Sequence, residues 1–227
     1  METEPERLLL CAGTGYIDGM DVSHITTLAQ LRAAVEAFEG CSLKASANRT
    51  VFSDGQPEGR IVLIGEAPGA QEDAQGKPFV GRSGQLLDKM LAEIGLSRHT
   101  ASKGGVYITN TVFWRPPDNR TPTQAEILSC RPFLLKHLEL LKPEIIVMVG
   151  GTAVKAVLQI DRGIGQFRNR WLEFDVPNVG KVPTLATFHP AYLLRNPPAK
   201  KDAWADFLML RDKAQQLGLL PETAAAA

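Results

Sequence analysis

The sequence predicts an α/β protein: a three-layer α/β/α domain around a central, mostly parallel, four-stranded sheet. Three observations carry that expectation. Four short runs have strand character, two of them are apolar almost without interruption, and helical patterns fill the intervals. A run without polar alternation suits a strand buried on both faces, as in a parallel sheet covered by helices. Strands that alternate with helices are joined by right-handed crossovers, which put helices on both sides. A length of 227 residues suffices for one such domain with a large core and leaves little for a second.

Taken in order, residues 1–27 read as an extension with no assignable motif, although they contain Cys11-Ala-Gly-Thr-Gly-Tyr16. Leu28–Phe38 has helical spacing. Arg60–Gly65 (RIVLIG) is the first strand. Ser83 is the expected N-cap of a helix whose stripe is Leu86, Leu87, Met90, Leu91 and Ile94. Val106–Val112 (VYITNTV) is the second strand. Thr123-x-x-Glu126 reads as a capping box opening a helix that ends near Leu141, with a kink expected at Pro132. Ile145–Gly150 (IIVMVG), a helix over Thr152–Leu158, the strand Thr184–Phe188 (TLATF) and a helix over Ala199–Leu217 complete the set. The domain is thus expected over residues 28–217, with 218–227 a disordered tail ending in Ala224–Ala227.

Composition narrows the function classes. An apolar fraction of 44% and a charged fraction of 22% suit a globular protein. No apolar run approaches the roughly 20 residues that span a bilayer. The opening Met-Glu-Thr-Glu-Pro-Glu is acidic, the reverse of a secretory signal. A monomeric cytoplasmic protein without membrane contact is therefore expected. Three widely spaced cysteines argue against a disulfide framework. The 25 basic and 25 acidic residues cancel, which counts against broad phosphate binding but leaves room for a local basic rim.

Ligands of open α/β sheets bind outside the carboxyl ends of the strands. Those ends lead into Gly65–Gly69, Asn110–Arg120, Gly150–Thr152 and His189–Asn196, and three of the four carry unusual chemistry. The first, with Glu66, Glu72 and Asp73, places carboxylates where one could orient a water, and Phe79 in a Pro/Gly frame could stack on a flat ring. A plain strand-to-helix connection competes with that reading. Asn110 can donate and accept at once, as a base-edge reader must, or simply form a turn. Arg115 and Arg120 on a proline-stiffened loop suit phosphate, or solvent. His189 could stabilise a charged leaving group, and Leu193-Leu194 beside Arg195 could wedge into a base stack. A structural histidine and core leucines are the commoner outcome.

The strings GEAPGAQEDAQGKPFVGRSGQLL, VYITNTVFWRPPDNRTPT and FHPAYLLRNP together resemble the family-4 uracil-DNA glycosylases of bacteria and archaea, over about Cys41 to Leu210. The resemblance implies a single α/β/α domain that flips uracil out of DNA and hydrolyses its bond to the sugar. It implies that Phe79 stacks on the base, that Asn110 reads its O4/N3 edge, and that Gly65, Glu66 and Ala67 line the pocket. His189 would donate to uracil O2, Glu66 would orient the water with Asp73 as the alternative, Leu193 or Leu194 would fill the vacated helix, and Arg195 would hold phosphate. Relatives with Gly-Gln-Asp-Pro-Tyr carry Asp and Tyr where this chain has Ala67 and Gly69. A uracil-DNA binding module with little turnover, and a glycosylase of wider deaminated-base range, are the rival expectations.

The resemblance also implies a [4Fe–4S] cluster on four cysteines, whose positions here are Phe38, Cys41, Trp114 and Cys130. Two of the four ligands are aromatic, whereas a cluster takes four thiolates. No metal or other cofactor is expected, with Phe38 and Trp114 packed into the vacated volume and Cys41 and Cys130 unbridged.

Overall fold

The computed structural model describes residues 21–221. Expectations for Cys11, for the rest of residues 1–20 and for 222–227 lie outside the described residues. One sheet holds six strands: β1 (Asp54–Gly55), β2 (Ile61–Gly65), β3 (Val106–Asn110), β4 (Ile145–Val149), β5 (Trp171–Val176) and β6 (Gly180–Thr187), in the order β1-β3-β2-β4-β6-β5. The four expected strands are the parallel centre, β3-β2-β4-β6.

Both edges were missed by the sequence reading and run antiparallel. The strand β1 is two residues long, too short to show a period. The β5–β6 hairpin turns through Asn178 and Gly180, both at positive φ. Its Leu172-Glu-Phe-Asp-Val176 alternation is the period of a strand with one wet face.

Successive residues of the central strands enter opposite layers. Ile61, Leu63, Ile145 and Val147 pack with Leu87, Leu91, Phe207 and Leu210 on one face. Val62, Ile64, Ile146 and Met148 pack with Leu134, Leu138, Val154 and Val157 on the other. Each such buried aliphatic contributes about 1.5–3 kcal/mol relative to exposure. The helices that supply these partners are α3 (Arg82–Ala92) and α7 (Lys200–Gln216) on the first face, α4 (Gln124–Leu141) and α5 (Gly151–Leu158) on the second. A third cluster lies under α1 (Leu28–Ala37), joining Leu31 and Val35 to Phe52, Phe113, Trp114 and Phe133.

The Thr123 capping box forms as expected: Glu126 N–H donates to Thr123 Oγ1 at 3.3 Å, and Thr123 N–H to Glu126 Oε2 at 2.7 Å. The helix it opens is continuous through Pro132. Gly81, not Ser83, caps α3, so Ser83 lies inside its first turn. Two short helices not expected from the sequence follow β2 and β6: α2 (Ala70–Gln75) and α6 (Pro190–Arg195). The expected domain limits also shift. Ile25 is buried in the third cluster, Leu219 and Leu220 pack on the first, and Gly104 N–H donates to Leu219 O at 2.7 Å.

Candidate active site

At the carboxyl ends of the parallel strands lies a cavity of about 370 Å³, bounded by Glu66, Ala67, Phe79, Asn110, Asn119 and His189, with Arg120 and Arg195 also on its wall. Its floor is built by sheet register. Gly65 pairs with Asn110 across β2 and β3, and Asn110 is only 2% exposed. A Cβ on Gly65 would strike both the Asn110 amide and the Phe79 ring, so glycine there is what lets the two side chains meet.

Phe79 stands at φ 54°, a backbone region uncommon for a residue with a side chain. Its ring lies 5.4 Å from the His189 ring, 27° from parallel. The two flat groups form one side of the cavity.

His189 caps α6. Its Nδ1 accepts the Ala191 N–H at 3.1 Å, which leaves Nε2 to carry the proton of a neutral ring. Burial, and then the charge of Arg195, push its pKa down to about 4. Gly150, at φ 102°, backs the ring so closely that a Cβ would sit 3.1 Å from that of His189.

Glu66 is fixed at two points. Thr111 Oγ1 donates to its backbone carbonyl at 2.6 Å, and Thr152 Oγ1, in the first turn of α5, donates to Oε2 at 2.6 Å. Thr152 belongs to the one strand-end segment whose sequence carries no unusual chemistry.

Other expected residues take different places. Asp73 is not on the cavity wall. It is 1% exposed and accepts the Asn48 backbone and side-chain N–H groups and the Arg49 N–H, so it ties the 48–49 turn to α2. Leu193 is 0% exposed and belongs to the core, whereas Leu194 is 39% exposed. Because α6 is helical, neighbouring residues face different ways, and only Leu194 remains able to meet a ligand. Arg115 also lies off the cavity wall and donates to Asn119 Oδ1 at 2.9 Å. Arg120 grips Glu126 with both Nη atoms, at 2.9 and 2.6 Å, and holds that carboxyl down at about 2.

Asn119, on the wall, escaped the sequence reading, and Glu72 plays another part than the water-orienting one open to it there. Asn119 sits at φ 54° after a proline pair, a conformation that Asn tolerates and that could have marked it. Glu72 accepts the N–H groups of Gly69, Val80 and Gly81 at 3.0–3.1 Å, joining the two glycine-rich loops.

The four cluster positions fall in one apolar pack. Phe38 lies 6.4 Å from Trp114 and 5.1 Å from Phe133 between ring centroids, and Trp114 Nε1 donates to Thr50 Oγ1 at 3.1 Å. Cys41 and Cys130 are buried free thiols in the same pack. The interaction of the two thiols draws the Cys41 thiol below its usual range and, with burial, pushes that of Cys130 up. Among the described residues no three His, Cys, Asp or Glu side chains converge as metal ligands. Two thiols flanked by two packed aromatic rings do not fit a four-thiolate cluster.

An aromatic face, an amide edge and an imidazole donor around one small cavity define a site for a flat heterocycle with a polar rim. Residues 52–208 match the family model of the uracil DNA glycosylase superfamily. The type-4 uracil-DNA glycosylase of Thermotoga maritima is 39% identical over 163 residues, 71% of this chain and 80% of that protein. That of Pyrobaculum aerophilum is 33% identical over 186 residues, 80% and 92% of the two chains. That of Saccharolobus solfataricus is 37% identical over 183 residues, 78% and 82%. The chain belongs to the uracil DNA glycosylase superfamily, on its type-4 branch. No helix among the described residues is long and apolar enough to cross a membrane.

Proposed function

We propose that this protein hydrolyses the N-glycosidic bond of uracil in DNA, releasing uracil and leaving an abasic site. The observation that carries the reading is the meeting of Phe79, Asn110 and His189 on one cavity wide enough to admit a flipped base. A flipped base reaches such a pocket only outside the stack. Phe79 stacks on it. The Asn110 amide accepts from uracil N3–H and donates to O4, whereas cytosine presents an acceptor and a donor in those places.

As the C1′–N1 bond breaks, its electron pair leaves on the base and the sugar becomes oxocarbenium-like. The neutral His189 ring donates its Nε2–H to uracil O2, where that charge gathers. Glu66, held through Oε2 by Thr152, keeps Oε1 for the water whose oxygen bonds C1′ and whose proton passes to solvent. Among the described residues no lysine lines the cavity, which supports hydrolysis by water over attack by an amine. Leu194 enters the gap left in the helix. Arg195, Arg115 and Arg120 face phosphate, with Arg120 the weakest because Glu126 already neutralises it.

The enzyme works without a cluster, as a cytoplasmic monomer. The aromatic packing at Phe38 and Trp114 supports the first part. Two unbridged buried thiols support a reducing compartment. The exposed large apolar residues, Tyr192, Leu194 and Leu217, are too few among the described residues for a broad subunit interface. The test is incubation with a uracil-containing oligonucleotide followed by alkali. Strand scission at uracil, and none at cytosine or thymine, is expected. Tight binding without scission would instead make this a binding module.

A further inference from the structure

We infer that Arg98, which lies outside the cavity, is the positioning residue that holds Phe79 in its stacking pose; this rests on Phe79 being the base-stacking residue. Arg98 is 3% exposed. Its Nη1 donates to Pro78 O at 2.9 Å and its Nη2 to Phe79 O at 3.1 Å. Its Nε donates to Asp88 Oδ1 at 2.8 Å, and Nη1 also reaches Asp54 Oδ2 at 3.3 Å. The two carboxylates aim the guanidinium, and the guanidinium holds the two carbonyls on either side of the Phe79 amide and Cα.

Phe79 does not adopt φ 54° by preference. Something must hold it there, and the holding is two-sided. Arg98 takes the carbonyls of residues 78 and 79, and Glu72 takes the N–H groups of Val80 and Gly81, both at 3.0 Å. Gly84 closes the third side, since a Cβ there would collide with the Phe79 carbonyl. With both flanking peptide units fixed, the ring is set against His189 and above Gly65. Only a planar fork of five donors serves two carbonyls and two carboxylates at once; an ammonium on a flexible stem does not.

A purely structural Arg98 would cost stability and leave the chemistry of folded molecules intact. A positioning Arg98 costs rate, and only while Phe79 is present. The test is a double-mutant cycle of Arg98→Lys with Phe79→Ala, read by single-turnover uracil excision, KM and Tm. Arg98→Lys alone is expected to slow excision by up to roughly 100-fold, the scale of a ~1 Å misplacement, with KM for DNA within about threefold of wild type. In the Phe79→Ala background the same change should alter the rate by less than about threefold while Tm falls as before. An equal slowing in both backgrounds overturns the inference. Asp88→Ala, which frees one aiming contact on the exposed side of α3, gives the same pattern at smaller size if Arg98→Lys does not fold.

A readout independent of turnover separates this inference from the proposed activity. In Arg98→Lys the ring resonances of Phe79 should shift or broaden while those of Phe174, in the edge strand β5, stay in place. Unmoved Phe79 resonances overturn the positioning role. Wild-type protein that leaves uracil in DNA overturns the proposed function and leaves this measurement intact.

Discussion

At the scale of the residue, the site depends on the protonation and partner of single atoms. Asn110 is buried beside Gly65 on the cavity wall, so Asn110→Asp places a carboxylate against uracil O4. Most uracil excision should be lost, a neutral base-edge match alone being worth about 1–3 kcal/mol, and single-turnover rates check it. His189 donates from Nε2 because the Ala191 N–H occupies Nδ1. Its removal in His189→Ala should slow base release about 100- to 1000-fold, as for one preorganised donor, while binding to abasic DNA changes far less. Equal losses in rate and binding would mark it as structural. The sequence pointed to both residues because strand ends with Asn and His are places where chemistry collects. It misplaced Asp73 because what claims that carboxylate, the Asn48 and Arg49 amides, lies some two dozen residues upstream and carries no local signal. The sequence could not separate Leu193 from Leu194 either, since that choice needs the helical turn of α6.

At the scale of the element, the third apolar cluster fills with side chains the region where the family resemblance puts four cluster positions. Phe38, at the C-terminus of α1, and Trp114, beyond β3, meet Phe133 and Cys130 of α4. Trp114 is buried and Phe38 partly so, and aromatics of this size, which cover up to roughly 150–250 Å² each, tie three elements together by packing. Trp114→Cys should therefore open a cavity, costing on the order of 3–5 kcal/mol in urea unfolding, without assembling a cluster. Phe38 still occupies the fourth corner. Iron and sulfide analysis of anaerobically purified protein is the direct check, and about four iron per chain would show that another ligand completes the site. The family resemblance, laid on the sequence by spacing, exposed the two substitutions. How the rings pack could not be read, because Thr50 and Phe133, which receive Trp114 and Phe38, lie far from them in sequence. The central strands were legible for the opposite reason: each is an uninterrupted apolar run that no other environment suits.

At the scale of the whole molecule, stability should fall in mild acid through a residue the chemistry does not use. His137 of α4 is fully buried among the rings of Phe52, Phe113 and Tyr107, at 4.4, 5.7 and 6.0 Å between centroids. Its Nδ1 meets Phe133 O at 3.0 Å, so that nitrogen carries the proton, and Nε2 has no partner among the described residues. A second proton would put an unpaired charge in an apolar cage, and burial accordingly lowers its pKa from 6.5 to about 4. The folded value is the depressed one, so between these limits the unfolded chain binds more protons than the native state. The contribution is fully present above about pH 6.5 and is lost as pH falls towards 4. Its size is about 3 kcal/mol at most. His189, whose pKa is also pushed down to about 4, adds in the same direction with a smaller share because its ring reaches the cavity. Urea unfolding at pH 7 and at about pH 4.5 is the measurement, with His137→Phe as the partner variant. The wild type should lose about 2–3 kcal/mol more than the variant over that interval. Parallel losses would place the acid sensitivity outside His137; Glu126, held at about 2 by Arg120, gives up its contribution mainly below about pH 4.5, outside that interval.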